Sequence, residues 1–289
     1  MNIWSGAILL PLVGAALHPF LGHFIQRATR AGVGLILLTG CSSILTAIVV
    51  LLYRRPEGGW SLEAGDGIAI ANGFAFFLGQ WFSVQSLRGG NIAVHSSVLG
   101  VKLMFVALLS VGLGLEQGSL WLILSVLLAV AAIFLVAGGT WSGLREHGRT
   151  VGLTLLACLF FGITDYLTGR YGLEVGTSRW MAIMFVTSAG LSLVLVGLRL
   201  PQLREVVRGG AGRWDLLFAG VIMGAQAVLV NIAFSEYQQP ALSNVVYSTR
   251  GVMAVVWLFL IGQMAREQLG RKVAGSVLMV VALVVALLE

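Results

Sequence analysis

The chain has 289 residues, 58% of them hydrophobic and only 10% charged, with a mean hydropathy of +0.94. Soluble domains carry roughly 25% charged residues, so a water-soluble fold is excluded and an integral membrane protein is expected. The net charge of +6 is not a nucleic-acid signal, because nearly all the arginines fall between apolar runs, where they anchor and orient membrane spans.

A helix needs about 20 apolar residues to cross the hydrocarbon core, and by that rule the chain carries about ten spans. Their predicted limits are 3–25, 31–53, 66–87, 91–114, 119–138, 149–170, 178–198, 214–235, 240–263 and 270–288. The first begins at Ile3 without a basic leader and runs too far for a secretory signal core, so it reads as a span. With only five prolines, most runs can be continuous helix. Pro19, beside His18, is placed to free a carbonyl and kink the first. Gly is abundant, at 38 residues, as expected where helices pack closely in lipid. The longest polar stretches, RRPEGGWSLEAGD after Tyr53 and LRLPQLREVVRGGAGRWD from Leu198, leave no room for a soluble domain. Cys41 and Cys158 lie inside apolar runs and read as small core residues.

The spans fall into two halves of five, residues 1–140 and 141–289. Lys102 of span 4 faces Arg250 of span 9 at an offset of 148 residues (250 less 102), and at the same offset His95 faces Ser243, Leu99 faces Tyr247, Gly114 faces Gly262 and Thr39 faces Thr187. One residue shorter, His18 faces Asp165 and Gly22 faces Gly169. Five is odd, so the second half must lie upside down relative to the first. The expected fold is an all-α integral membrane protein of ten transmembrane helices in two inverted five-helix repeats, one membrane domain with its site at the repeat interface.

Lys102 and Arg250 sit near the middle of their spans. A cation at bilayer depth costs at least about 2.5–3.5 kcal/mol. Meeting that cost at matched positions of both halves points to an internal cavity that receives an anion. Loops after odd-numbered spans hold Arg27, Arg30, Arg88, Arg145, Arg149, Arg199, Arg204, Arg208, Arg213, Arg266, Arg271 and Lys272. Loops after even-numbered spans hold only Arg54, Arg55, Arg170 and Arg179. The positive-inside rule then puts both termini outside the cytoplasm.

Span 4 closes in VGLGLEQGSLW before the short span 5, and span 9 closes in FLIGQMAREQLG before span 10, with Glu116 and Glu267 in corresponding acidic places. In this repeat signature and in its five-plus-five duplication, the whole chain resembles the drug/metabolite transporter superfamily, EamA-like ten-helix branch. The resemblance implies alternating access and a cavity lined mainly by helices 1, 3, 4, 6, 8 and 9. In the phosphate-translocator branch, basic residues on helices 4 and 9 hold a phosphate, and Lys102 and Arg250 fall on those helices. The resemblance also implies termini in the cytoplasm, opposite to the charge count, so orientation stays open.

Two readings accompany each candidate residue. Lys102 and Arg250 form either a two-cation clamp on a carboxylate, phosphate or sulfonate, or separate ion pairs with buried carboxylates. His95 on the face of Lys102, and Ser243 and Tyr247 on the face of Arg250, follow helical spacing and can add donors. Asp165 can bind a substrate ammonium, carry a proton or neutralise a cation. His18 suits a proton-coupled step or a packing role. On spans 3 and 8, Gln80, Trp81 and Asn231, with Asn72, Gln85, Gln226, Phe74 and Phe77, are candidates for a cavity wall or for interhelical contacts. Glu236 reads as solvated near the interface.

No phosphate loop, metal-ligand spacing or nucleophile elbow appears in the sequence. We therefore expect no cofactor, no metal and no enzymatic activity. The expected function is secondary transport of a small organic anion across the inner membrane, by exchange or with protons, as a monomer or homodimer among membrane lipids. An exporter of amino acids or other amphipathic metabolites is the alternative, with Asp165 taking the amine. More remote are movement of an anionic lipid headgroup, an enzyme acting on a lipid and a non-transporting scaffold.

Overall fold

A computed structural model describes residues 3–53, 63, 65–112, 120–210, 212–235, 237 and 240–285. Glu116, Glu236, Gly114, Arg54 and Arg55 lie outside the described residues. The described elements are helical: α1 (Ile3–Arg30), α2 (Leu35–Tyr53), α3 (Asp66–Gly89), α4 (Ile92–Val98), a 3-10 turn at Leu99–Val101, and α5 (Lys102–Gly112). They continue with α6 (Leu120–Val136), α7 (Trp141–Glu146), α8 (Gly148–Tyr171), α9 (Thr177–Gly197), α10 (Leu200–Val207) and α11 (Arg213–Ser235). The last are α12 (Pro240–Ser248), α13 (Arg250–Leu260) and α14 (Arg266–Val285). Eight stretches are long and apolar enough to cross a membrane, which makes this a multi-pass membrane protein in character. Two more apolar stretches, Ile92–Val106 and Ile123–Val136, are shorter.

Helix α1 packs along α11, and α3 packs along α8. The α2 helix sits between α9 and α11, α3 also lies against α9, and α6 pairs with α14. The break segments meet where α4 crosses α13, while α5 lies on α8 and α12 on α1. Lipid tails are as apolar as leucine, so these contacts rest on close van der Waals packing rather than on escape from water. Gly275 illustrates it: a Cβ there would stand 2.9 Å from the Val136 nitrogen and 3.0 Å from the Ala132 carbonyl oxygen. Only glycine lets α14 come that near the backbone of α6.

Two elements fall where loops were expected. The α10 helix seats Leu203 and Val206 against the core beneath the α1–α2 turn, leaving Leu200 and Val207 exposed. The short α7 is capped by Thr140, whose hydroxyl accepts from the Gly143 N–H at 3.0 Å. Arg179, counted as a loop residue from the sequence, is instead buried in the first turn of α9. There it pairs with Asp66 at 2.6 Å and Glu63 at 3.0 Å. Helix α1 runs as one helix through Pro11 and Pro19. The interruptions lie elsewhere, at the two mid-span cations.

Candidate functional site

Each cation opens a helix. The 3-10 turn at Leu99–Val101 ends where α5 begins at Lys102. Helix α12 ends at Ser248, and after Thr249 a new helix begins at Arg250. Neither break contains proline. At the second, the hydroxyls explain it: Ser248 donates to the Val245 carbonyl at 2.6 Å and Thr249 to the Val246 carbonyl at 2.7 Å. Such bonds offer the preceding turn an alternative to the helical ladder.

The crossing of α13 over α4 is close. A Cβ on Gly251 would stand 2.8 Å from Ser97 Oγ and 3.0 Å from Ser97 Cα. That approach sets Arg250 against the first break, where the Leu99 carbonyl accepts from Arg250 Nη2 at 2.9 Å. The guanidinium lies over the Tyr247 ring, 4.2 Å from its centroid, a favourable position for a cation on a π face. Arg250 is only 1% exposed, and its Nε has no hydrogen-bond partner. Among the described residues no carboxylate comes within ion-pair distance of it.

Lys102 is different. Its Nζ sits 2.8 Å from Asp165 Oδ2, with both side chains at most 10% exposed. The same carboxylate oxygen accepts from Asn244 Nδ2 at 3.1 Å. The ammonium also lies over the rings of Phe234 and Tyr247, at 5.6 and 5.5 Å. Of the two readings drawn from the sequence, the ion pair describes Lys102, while Arg250 has no such partner among the described residues.

Between these groups is a cavity of about 100 Å³. Its walls come from α1, α3, the α4–α5 break, α8, α11 and the α12–α13 break. Lys102, Arg250, Asp165, Tyr247, His18, Gln80 and Asn231 all line it. His95, Ser243 and Trp81 do not. His95 is fully buried among α3 and α8 hydroxyls: Ser83 lies 3.3 Å from its Nε2, and Ser86 and Thr154 lie 3.1 and 3.0 Å from its Nδ1. Those bonds use both ring nitrogens, so His95 ties helices together. Ser243 donates to the Ala7 carbonyl at 3.1 Å and so fastens α12 to α1. Trp81, on α3, stands beside Phe77 with ring centroids 6.2 Å apart.

His18 is the contrasting histidine. It is 3% exposed, stacked on His95 with centroids 5.8 Å and planes 9° apart, and neither of its ring nitrogens has a partner. A neutral imidazole offers one donor and one acceptor, and here both are unused beside the cavity. Gln80 is partly engaged, accepting from Ser43 at 2.8 Å. Gln226, also on the wall, donates to the Gly14 carbonyl at 2.9 Å.

Sequence reasoning did not single out Phe76, Phe161, Thr164, Met223 and Phe234, which also line the cavity, or Asn244. Spacing holds a signal for some of them. Phe161 precedes Asp165 by four residues, and Phe76 precedes Gln80 by four, so each shares a helix face with a polar candidate.

No family model matches the chain, and no curated protein matches it. Among solved structures, one described only as the crystal structure of a protein superposes with a TM-score of 0.67, at 17% identity over 98% of each chain. At that identity the likeness shows the fold alone, and it extends over essentially the whole bundle.

Proposed function

We propose that this protein is a secondary transporter of the EamA-like drug/metabolite type, built as two inverted five-helix repeats and moving a small organic anion by alternating access. The single observation that carries this reading is Arg250, a buried guanidinium on a cavity wall with no carboxylate partner among the described residues. Intramembrane charge of that kind marks a substrate pathway by default. The repeat reading is supported by the contacts, since α1 on α11 mirrors α3 on α8, and α2 on α11 mirrors α9 on α3. It is supported again by helix breaks at matched cations. Discontinuous helices at the repeat interface are where such transporters hold substrate. Spans 1, 3, 4, 6, 8 and 9 supply the walls, as the family resemblance implies.

Export of amphipathic zwitterions takes second place. It needs Asp165 for an amine, and Asp165 already holds Lys102 and Asn244.

Counterflow in proteoliposomes tests the proposal. Vesicles preloaded with an unlabelled organic anion should accumulate the labelled anion through the wild-type protein but not through Arg250→Gln, with Arg250→Lys in between. Equal uptake by a folded Arg250→Gln protein, or accumulation of amines alone, would overturn it.

A further inference from the structure

The charges on the cavity wall can be counted. Among the described residues its cations are Lys102 and Arg250, and its one acid is Asp165. Lys102 and Asp165 are in contact at 2.8 Å and nearly buried, so together they present no net charge. To give Lys102 to a substrate, Asp165 would have to release it and remain a buried carboxylate with Asn244 alone. An uncompensated buried charge is strongly unfavourable. Among the described residues Arg250 therefore stands as a single unmatched positive charge, held by the Leu99 carbonyl and the Tyr247 ring face.

The remaining unused polar capacity on the wall is neutral. His18 brings two unpartnered ring nitrogens and no neighbouring carboxylate. Phe76, Phe161 and Phe234 supply apolar surface. A dianion placed here would find one cation and would leave its second charge buried against neutral groups.

We infer that the site takes a monovalent organic anion, of the monocarboxylate or monosulfonate class with an apolar body, and rejects dianions such as phosphate monoesters and dicarboxylates. This rests on the anion-transport reading and narrows it. It departs from the two-cation phosphate site that the family resemblance implies, because here Asp165 takes one of the two cations out of play.

The test is ligand-induced thermal stabilisation of the purified protein at pH 8, above the ordinary range of a histidine. Matched probes are benzoate against phenyl phosphate and phthalate, and butyrate against succinate. Binding to the native state raises the unfolding temperature in proportion to the logarithm of ligand over dissociation constant. The monoanions should bind at least about tenfold more tightly than the dianions of similar size. Asp165→Asn releases Lys102, so that variant should shift preference toward phenyl phosphate by at least about tenfold. Phenyl phosphate should also raise the stability of Asp165→Asn more than benzoate does. Arg250→Gln should lose both responses.

Equal or tighter dianion binding by the wild type would overturn the monoanion inference while leaving anion transport standing. A folded Asp165→Asn protein that still prefers benzoate would show that the pair with Lys102 does not set the charge, and would overturn it too. Stabilisation by none of the anions, or stabilisation unchanged in Arg250→Gln, would remove the anion reading and this inference with it. Should Asp165→Asn not fold, the wild-type comparison still decides.

Discussion

Lys102 and Arg250 occupy matched places, each the first residue of a helix resumed after a break, and each touches the Tyr247 ring. Their partners differ. Lys102 meets a carboxylate at 2.8 Å, and Arg250 meets a carbonyl in its place. The difference teaches that position in a repeat does not assign a role. A buried cation ties two helices where the opposing span carries an acid, as Lys102 does, and has no carboxylate partner among the described residues where it carries none, as with Arg250. At the position 147 residues before Asp165 (165 less 18) the chain carries His18 rather than an acid. On the proposed function, this asymmetry leaves one cation for one substrate charge.

The largest expected effect breaks the free side. Arg250→Gln should weaken anion binding by about 10–100-fold, the range for losing a charge-assisted hydrogen bond, as read by titration against thermal stability. The paired side should respond in stability. Asp165→Asn or Lys102→Met alone leaves a buried charge and should cost about 3–5 kcal/mol, much of it recovered in the double variant. Denaturation midpoints of the four proteins check this. If the double variant is no better than the singles, the two residues do not act as a pair.

Gly251→Leu should be next, because a side chain there meets Ser97 at 2.8 Å. Overpacking of this kind costs about 1–3 kcal/mol, and it should also part Arg250 from the Leu99 carbonyl, lowering transport. Smallest is Thr154→Val beside His95. It removes hydrogen bonds that do not themselves line the cavity, for about 0.5–1.5 kcal/mol of stability, with anion affinity unchanged in titration.

Much of this was readable in the sequence because the bilayer imposes a strong filter. Span 6 was expected at 149–170 and α8 is Gly148–Tyr171; span 8 was expected at 214–235 and α11 is Arg213–Ser235. Buried charge is expensive enough that Lys102, Arg250 and Asp165 could be picked out individually, and all three line the cavity. Cheaper features were not legible. The break at Thr249 depends on two hydroxyls turning back on their own helix, a choice that sequence leaves open. His95 shares a helix face with Lys102, yet the Ser83, Ser86 and Thr154 hydroxyls claim it, and their convergence exists only in three dimensions. Phe76 and Phe161 could not be told from lipid-facing aromatics such as Phe74, which is 48% exposed. Above all, the sequence offered Asp165 equally to Lys102 and Arg250. Which cation it neutralises depends on the register between α5 and α8.

The most direct test is an experimental structure with a bromine-labelled benzoate bound, its anomalous signal fixing the ligand's orientation. The account predicts the carboxylate on the Arg250 guanidinium, with Lys102 and Asp165 still in contact. A carboxylate seated on Lys102, with Asp165 turned away, would contradict it.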